Sequence, residues 1–175
     1  MRTMRIFAMR PSRQFTMPPR ILFVCTANIC RSPMAEGVLR RLLARSRFPA
    51  AIDSAGTARH CVNMPPHPMA LAVTKRRGYN ITHTVARQVR KSDFLTFDLI
   101  VAVDRATRDR LREMAPPDAW AEIRLLLEFA TRHRGKNVPD PHGFGPGVFE
   151  RSLDLIEDAC SGLAHYLRAR RVIPP

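Results

Sequence analysis

No apolar run in this 175-residue chain approaches the ~18 residues needed to cross a bilayer as a helix. The best candidates, Ile21 to Cys25 and Leu99 to Val103, are five residues each and read as buried strands. Acids are scarce: 15 Asp and Glu stand against 29 Lys and Arg, for a formal net charge of +14. Residues 1–19 hold no acid at all, only Arg2, Arg5, Arg10 and Arg13. Aromatics make up 7% of the chain and do not interleave with the basic residues, so the charge alone does not mark a nucleic-acid surface. A field of that sign draws acidic or phosphorylated partners and weakens with salt. Four cysteines do not suggest a disulfide framework, and no internal repeat is present. The apolar run Ile6 to Met9 is broken by Arg10 before it could form a secretion-signal core, which favours the cytoplasm. Methionines at 1, 4, 9 and 17 precede the first strand. Residues 1–19 are therefore expected to be a disordered or loosely attached extension, with a targeting arm as the alternative, and residues 20–175 one domain.

Hydrophobic content of 45% is enough for a core, and its periodicity alternates between strand and helix. Strands are expected at Ile21 to Cys25, Ala51 to Ala55, Phe97 to Val103 and Ile123 to Leu127. Helices are expected from Pro33 to Ser46, from Met69 to Arg77 with Gly78 as its left-handed stop, and from Arg105 to Met114 before Pro116-Pro117. A Pro/Gly-rich loop is expected from Gly135 to Gly147. Beyond it Phe149, Leu153, Ile156, Cys160, Leu163 and Leu167 make one apolar stripe of a last helix. The fold class is α/β: three layers, doubly wound, with a four-stranded parallel sheet and helices on both faces. In such sheets ligands bind outside the carboxyl ends of the strands.

The segment Cys25-Thr26-Ala27-Asn28-Ile29-Cys30-Arg31-Ser32-Pro33 lies at that edge. Five residues between Cys25 and Arg31 can curl so that their N–H groups converge on a dianion, and Pro33 suits the first turn of a helix. Cys25 would sit beneath the anion, where the helix terminus and the Arg31 guanidinium favour a thiolate. The other three cysteines have Glu36, His67 and Tyr166 six residues on, so the Cys-to-Arg spacing belongs to Cys25 alone. This is the pattern of a nucleophile for phosphoryl transfer: Cys25 attacks, Arg31 and the amides of Thr26, Ala27, Asn28, Ile29 and Cys30 hold oxygens, and Ser32 donates to the sulfur. Asn28 is expected in a left-handed conformation. Cys30 either forms a reversible disulfide with Cys25 or packs under the loop. Cys61, near Pro65-Pro66, reads as incidental and Cys160 as core. No metal or cofactor is called for.

The chain resembles the low-molecular-weight protein tyrosine phosphatases, which share their fold with thiol-dependent arsenate reductases. The resemblance runs from about residue 20 to 170. It is carried by Cys25 to Ser32 with Pro33-Met34-Ala35-Glu36, by Ile52-Asp53-Ser54-Ala55-Gly56-Thr57, by Ala86-Arg87-Gln88, Asp93-Phe94, Phe97-Asp98-Leu99-Ile100 and Asp104, and by Val138-Pro139-Asp140-Pro141. It implies hydrolysis of phosphotyrosine or small aryl phosphates through a cysteinyl-phosphate, with Asp140 as the acid-base partner. Arsenate reduction, which needs further cysteines, and a non-catalytic phosphate-binding module are the alternatives. The chain departs from the family at Ala27, where glycine is usual, and at Thr84, where a histidine supports the loop asparagine and where His83 is now adjacent. Arg59-His60 and His142-Gly143-Phe144 replace aromatics that wall the family's cleft.

Overall fold

The computed structural model describes residues 18–170, so the expectations for the N-terminal arm and the last five residues lie outside the described residues, save at Pro18 and Pro19. Four parallel strands form one sheet: β1 (Arg20–Cys25), β2 (Ala51–Gly56), β3 (Leu99–Ala102) and β4 (Glu122–Leu125), in the order β2-β1-β3-β4. Alternate residues of the central strands point to opposite faces, and each face has its own core. Ile21, Phe23, Leu99 and Val101 pack with α1 (Arg31–Arg45), α2 (Pro68–Arg76) and α4 (Pro146–Ala169). Leu22, Val24, Ile100 and Ala102 pack with α3 (Arg105–Met114) and with Phe94 of a short 3-10 turn at Lys91–Leu95. The doubly wound architecture expected from the sequence is the one observed.

Chain order dictates where a ligand can bind. The path goes from β1 to its neighbour β2, then returns across β1 to β3 on the other side, so the loop after β1 opens at the switch point of the sheet. Gly56 ends β2 just beneath that loop. A Cβ there would stand 2.6 Å from Thr26 O and 3.1 Å from the Ala27 carbonyl carbon, which leaves room for glycine alone.

Several boundaries differ from the sequence expectation, each for a local reason. Helix α1 starts at Arg31 and not Pro33; Pro33 is its third residue, where a missing N–H is still free of cost. Strand β3 starts at Leu99, because the Asp98 carboxylate turns aside to accept the Arg20 N–H at 2.8 Å. Strand β4 ends at Leu125, and Leu126–Glu128 tighten into a 3-10 turn. The loop expected up to Gly147 ends at Gly145, where Pro146 opens α4 as a first-turn proline. The six stripe residues of α4 are all buried, Cys160 fully, with its thiol donating to Ala35 O at 3.7 Å. No helix among the described residues is long and apolar enough to cross a membrane.

Candidate active site

The loop after β1 wraps around one side chain. Cys25 is 3% exposed, and its Sγ accepts the Asn28 N–H at 3.2 Å and lies 3.0 Å from Ser32 Oγ. Asn28 itself takes φ 59°, the left-handed conformation expected of it. It is buried, and its amide reaches three elements: Nδ2 donates to Ser32 Oγ (2.9 Å) and Ser54 Oγ (3.0 Å), while Oδ1 accepts the Arg87 N–H (2.9 Å). Ala27 is not among the residues with positive φ, so its Cβ is accommodated without left-handed strain.

Support for Asn28 comes from a direction the sequence did not reveal. Ser54 Oγ donates to the buried carboxylate of Glu36 at 2.7 Å; Glu36 also accepts from Arg40 at 2.7 Å and lies 3.3 Å from His83 Nε2. Thr84 turns its hydroxyl back to Ile81 O at 2.9 Å and takes no part. His83, one residue earlier than the family's histidine, thus reaches the loop through Glu36 and Ser54. Glu36, Ser54 and His83 lie 18 and 47 residues apart along the chain and meet only in the fold. The one prior signal was a glutamate and a serine standing inside the matching segments.

Arg31 is 4% exposed, and its guanidinium spans two carboxylates: Nη1 to Asp104 at 2.5 Å and Nη2 to Asp140 at 2.8 Å, with Val138 O at 3.3 Å from Nη1. Asp104 is also the N-cap of α3, accepting the Thr107 N–H at 2.7 Å, so it is fixed by the helix it starts. Asp140 stands on the loop before α4; its Oδ1 accepts the His142 N–H at 3.2 Å and its side chain is about half exposed. Cys25, Thr26, Ala27, Ile29, Cys30, Arg31 and Asp140 line one pocket of about 190 Å³. Asn28 and Ser32 brace it from behind. His60, Cys61 and His142 complete the mouth, so Cys61, read as incidental, is part of the wall. Cys30 is a buried free thiol, pushed up to about 12 by burial and then by the Cys25 and Asp140 charges. At neutral pH it is therefore a neutral group packed under the loop. Among the described residues no group of three His, Cys, Asp or Glu side chains is arranged to hold a metal ion.

A buried sulfur surrounded by donors, an arginine fixed beside it and a carboxylate across the opening form a site for a tetrahedral anion and a proton transfer. Comparison with known proteins gives the same direction. Residues 20–172 match the family model described as low molecular weight phosphotyrosine protein phosphatase. A low molecular weight protein-tyrosine-phosphatase of Streptomyces coelicolor is 38% identical over 157 residues, covering 87% of this chain and 95% of that one. One from Bacillus subtilis, YfkJ, is 37% identical over 145 residues, covering 82% and 92%. The crystal structure of a protein tyrosine phosphatase from Entamoeba histolytica superimposes with a TM-score of 0.82 at 34% identity, covering 86% of this chain and 97% of that one.

Proposed function

The chain belongs to the low molecular weight phosphotyrosine protein phosphatase family and is a protein-tyrosine-phosphatase, and from that premise we propose that it works through a phosphoryl group carried on Cys25. Cys25 Sγ attacks phosphorus in line as the bond to the tyrosyl oxygen breaks. The amides of Thr26, Ala27, Ile29 and Cys30 and the Arg31 guanidinium hold the three equatorial oxygens, the guanidinium by a planar bidentate fit that lysine would not supply. Tyrosine leaves with a pKa of ~10, so its oxygen needs a proton as it departs, and Asp140 gives it. Asp140 then takes a proton from the water that attacks the cysteinyl-phosphate, and Cys25 leaves with its electron pair. Ser32 and the Asn28 N–H hydrogen-bond the sulfur before attack and after departure.

The carrying observation is the Arg31 bridge. Its two Nη atoms lie on Asp104 and Asp140, so an incoming phosphoryl group competes with Asp140 for Nη2 and frees that carboxyl to face the leaving oxygen. Asp104, fixed as a helix cap, keeps the guanidinium aimed during the exchange. A phosphate-sensing module would need no proton donor, and a disulfide relay of the arsenate-reductase kind is not favoured, because the matching family model and relatives are phosphatases by name and Cys160 is fully buried away from the pocket that Cys25, Cys30 and Cys61 line. The substrate is a phosphotyrosine protein or a small aryl phosphate.

The test measures phosphate release from p-nitrophenyl phosphate and a phosphotyrosine peptide, beside thiol-coupled arsenate reduction. Hydrolysis of both esters is expected, with Cys25→Ser inactive. Unchanged hydrolysis in that variant, or arsenate as the better substrate, would contradict the reading.

A further inference from the structure

The pocket over Cys25 is graded from floor to rim. Cys25, Cys30 and Arg31 are buried, whereas His60 and His142, which line the same pocket, are exposed, one on the loop after β2 and the other on the loop before α4. A phosphoryl group held on the floor therefore leaves the far end of its aryl ring at the rim. Among the described residues no Phe, Tyr or Trp lines this pocket, so the rim offers that ring two imidazoles and no hydrocarbon wall.

Histidine is the side chain whose charge changes within the physiological range of pH, and a positive charge at this rim has no internal partner. Among the described residues neither the His60 ring nor the His142 ring is held by a carboxylate. Asp140, the one carboxylate lining the pocket, is bonded to Arg31 Nη2 at 2.8 Å and accepts the backbone N–H of His142 at 3.2 Å. As the proton donor it is also neutral until the ester bond breaks. His67 meets the His142 ring edge-on at 5.8 Å, and burial and then His142 hold its imidazole below the ordinary value. Beside His60 in the chain stand Arg59, exposed, and Cys61, buried; Cys25, Cys30 and Arg31 complete the titratable and charged groups of the pocket.

We propose that His60 and His142 determine specificity by selecting aryl phosphates that carry a second anionic group, such as a carboxylate, on the ring end away from the phosphate. The selection rests on the phosphatase reading and names a substrate class within it. Protonated, the two imidazoles pair with that group; neutral, they donate a hydrogen bond to it no better than to an amide of the same shape. Exposed charge pairs are individually weak and screened, so the selection is modest, grows as pH falls and shrinks with salt.

The experiment compares kcat/KM for para-carboxyphenyl phosphate and for its carboxamide, para-carbamoylphenyl phosphate, at low salt from about pH 8 down to about pH 5.5. Ionisation of Cys25, Asp140 and the phosphate acts on both esters alike, and the difference between their leaving groups does not vary with pH, so the slope of the ratio reports the rim. The carboxylate-to-carboxamide ratio is expected to rise about three- to tenfold as pH falls and to stay flat in His60→Gln/His142→Gln. His60→Lys/His142→Lys, charged throughout this range, is expected to hold the ratio high at every pH. A flat ratio in the wild-type protein that hydrolyses both esters, or a rise that survives the double glutamine substitution, overturns the selection alone. Hydrolysis of neither ester at any pH overturns the phosphatase reading, and the selection with it.

Discussion

Asn28 is the residue on which the loop turns. Its left-handed backbone directs an N–H at Cys25, and its side-chain amide joins α1, β2 and the segment before Gln88 through three hydrogen bonds. Replacing it with alanine leaves the Arg87 N–H without its partner, removes one donor each from the Ser32 and Ser54 hydroxyls, which keep Cys25 and Glu36, and puts at positive φ a residue that lacks the local compensation of asparagine. Asn28→Ala is expected to lower stability by about 1–3 kcal/mol, read by chemical denaturation, and to reduce kcat more than KM because the sulfur loses its orientation. His83→Gln acts one step further out. A glutamine can still donate to Glu36, so a small effect there beside a large one for Asn28→Ala separates charge from positioning.

Helix α2 couples the loop to pH. Its N-cap is His67, whose Nδ1 accepts the Met69 N–H at 3.2 Å, whose own N–H donates to Ile29 O at 2.8 Å, and whose ring stacks on Phe149 and meets His142 edge-on. Burial, and then the neighbouring His142, hold its imidazole below the ordinary value. The unfolded chain therefore takes up a proton there at higher pH than the folded one, so this contribution is full above the ordinary imidazole range, ~6.5, and is lost as pH falls through it. Denaturation midpoints are expected to drop between about pH 7 and 5, and His67→Asn, which can cap without titrating, should flatten that slope. An unchanged slope would remove His67 from the cause. Elements of this kind show how far the sequence could be read. The sheet, four long helices and the α4 stripe follow from periods of two and 3.6, which local sequence records directly. The 3-10 turn at Lys91–Leu95 was missed because it depends on one side chain, Asp93, closing back on the Arg90 N–H at 2.8 Å. Cys61 carries no such local signal: that it lines the pocket follows from where the turns after β2 place it beside the Cys25 loop.

Across the whole molecule, the catalytic edge gathers loops that follow all four strands, and its acids Asp104 and Asp140 are both bonded to Arg31. The excess of Lys and Arg over Asp and Glu in the chain gives a field that draws anions in general and is screened by salt. Cys25, Arg31 and Ser32 were legible from one short segment, and Asp140 from a resemblance spread over the chain. The bridge that joins Arg31 to both Asp104 and Asp140 was not, since its partners lie 73 and 109 residues away. That bridge places Asp140 where the leaving-group step can be tested by substitution. In Asp140→Asn, turnover of a phosphotyrosine peptide should fall by about 10²–10⁴, while an ester with a much better leaving group, such as p-nitrophenyl phosphate, falls far less. The most direct test of the central claim is mass spectrometry of acid-quenched Asp140→Asn protein during turnover of that better ester. One phosphoryl group on Cys25 is expected; protein that turns over ester yet carries no phosphoryl group at that position, or carries it elsewhere, would contradict the cysteinyl-phosphate route.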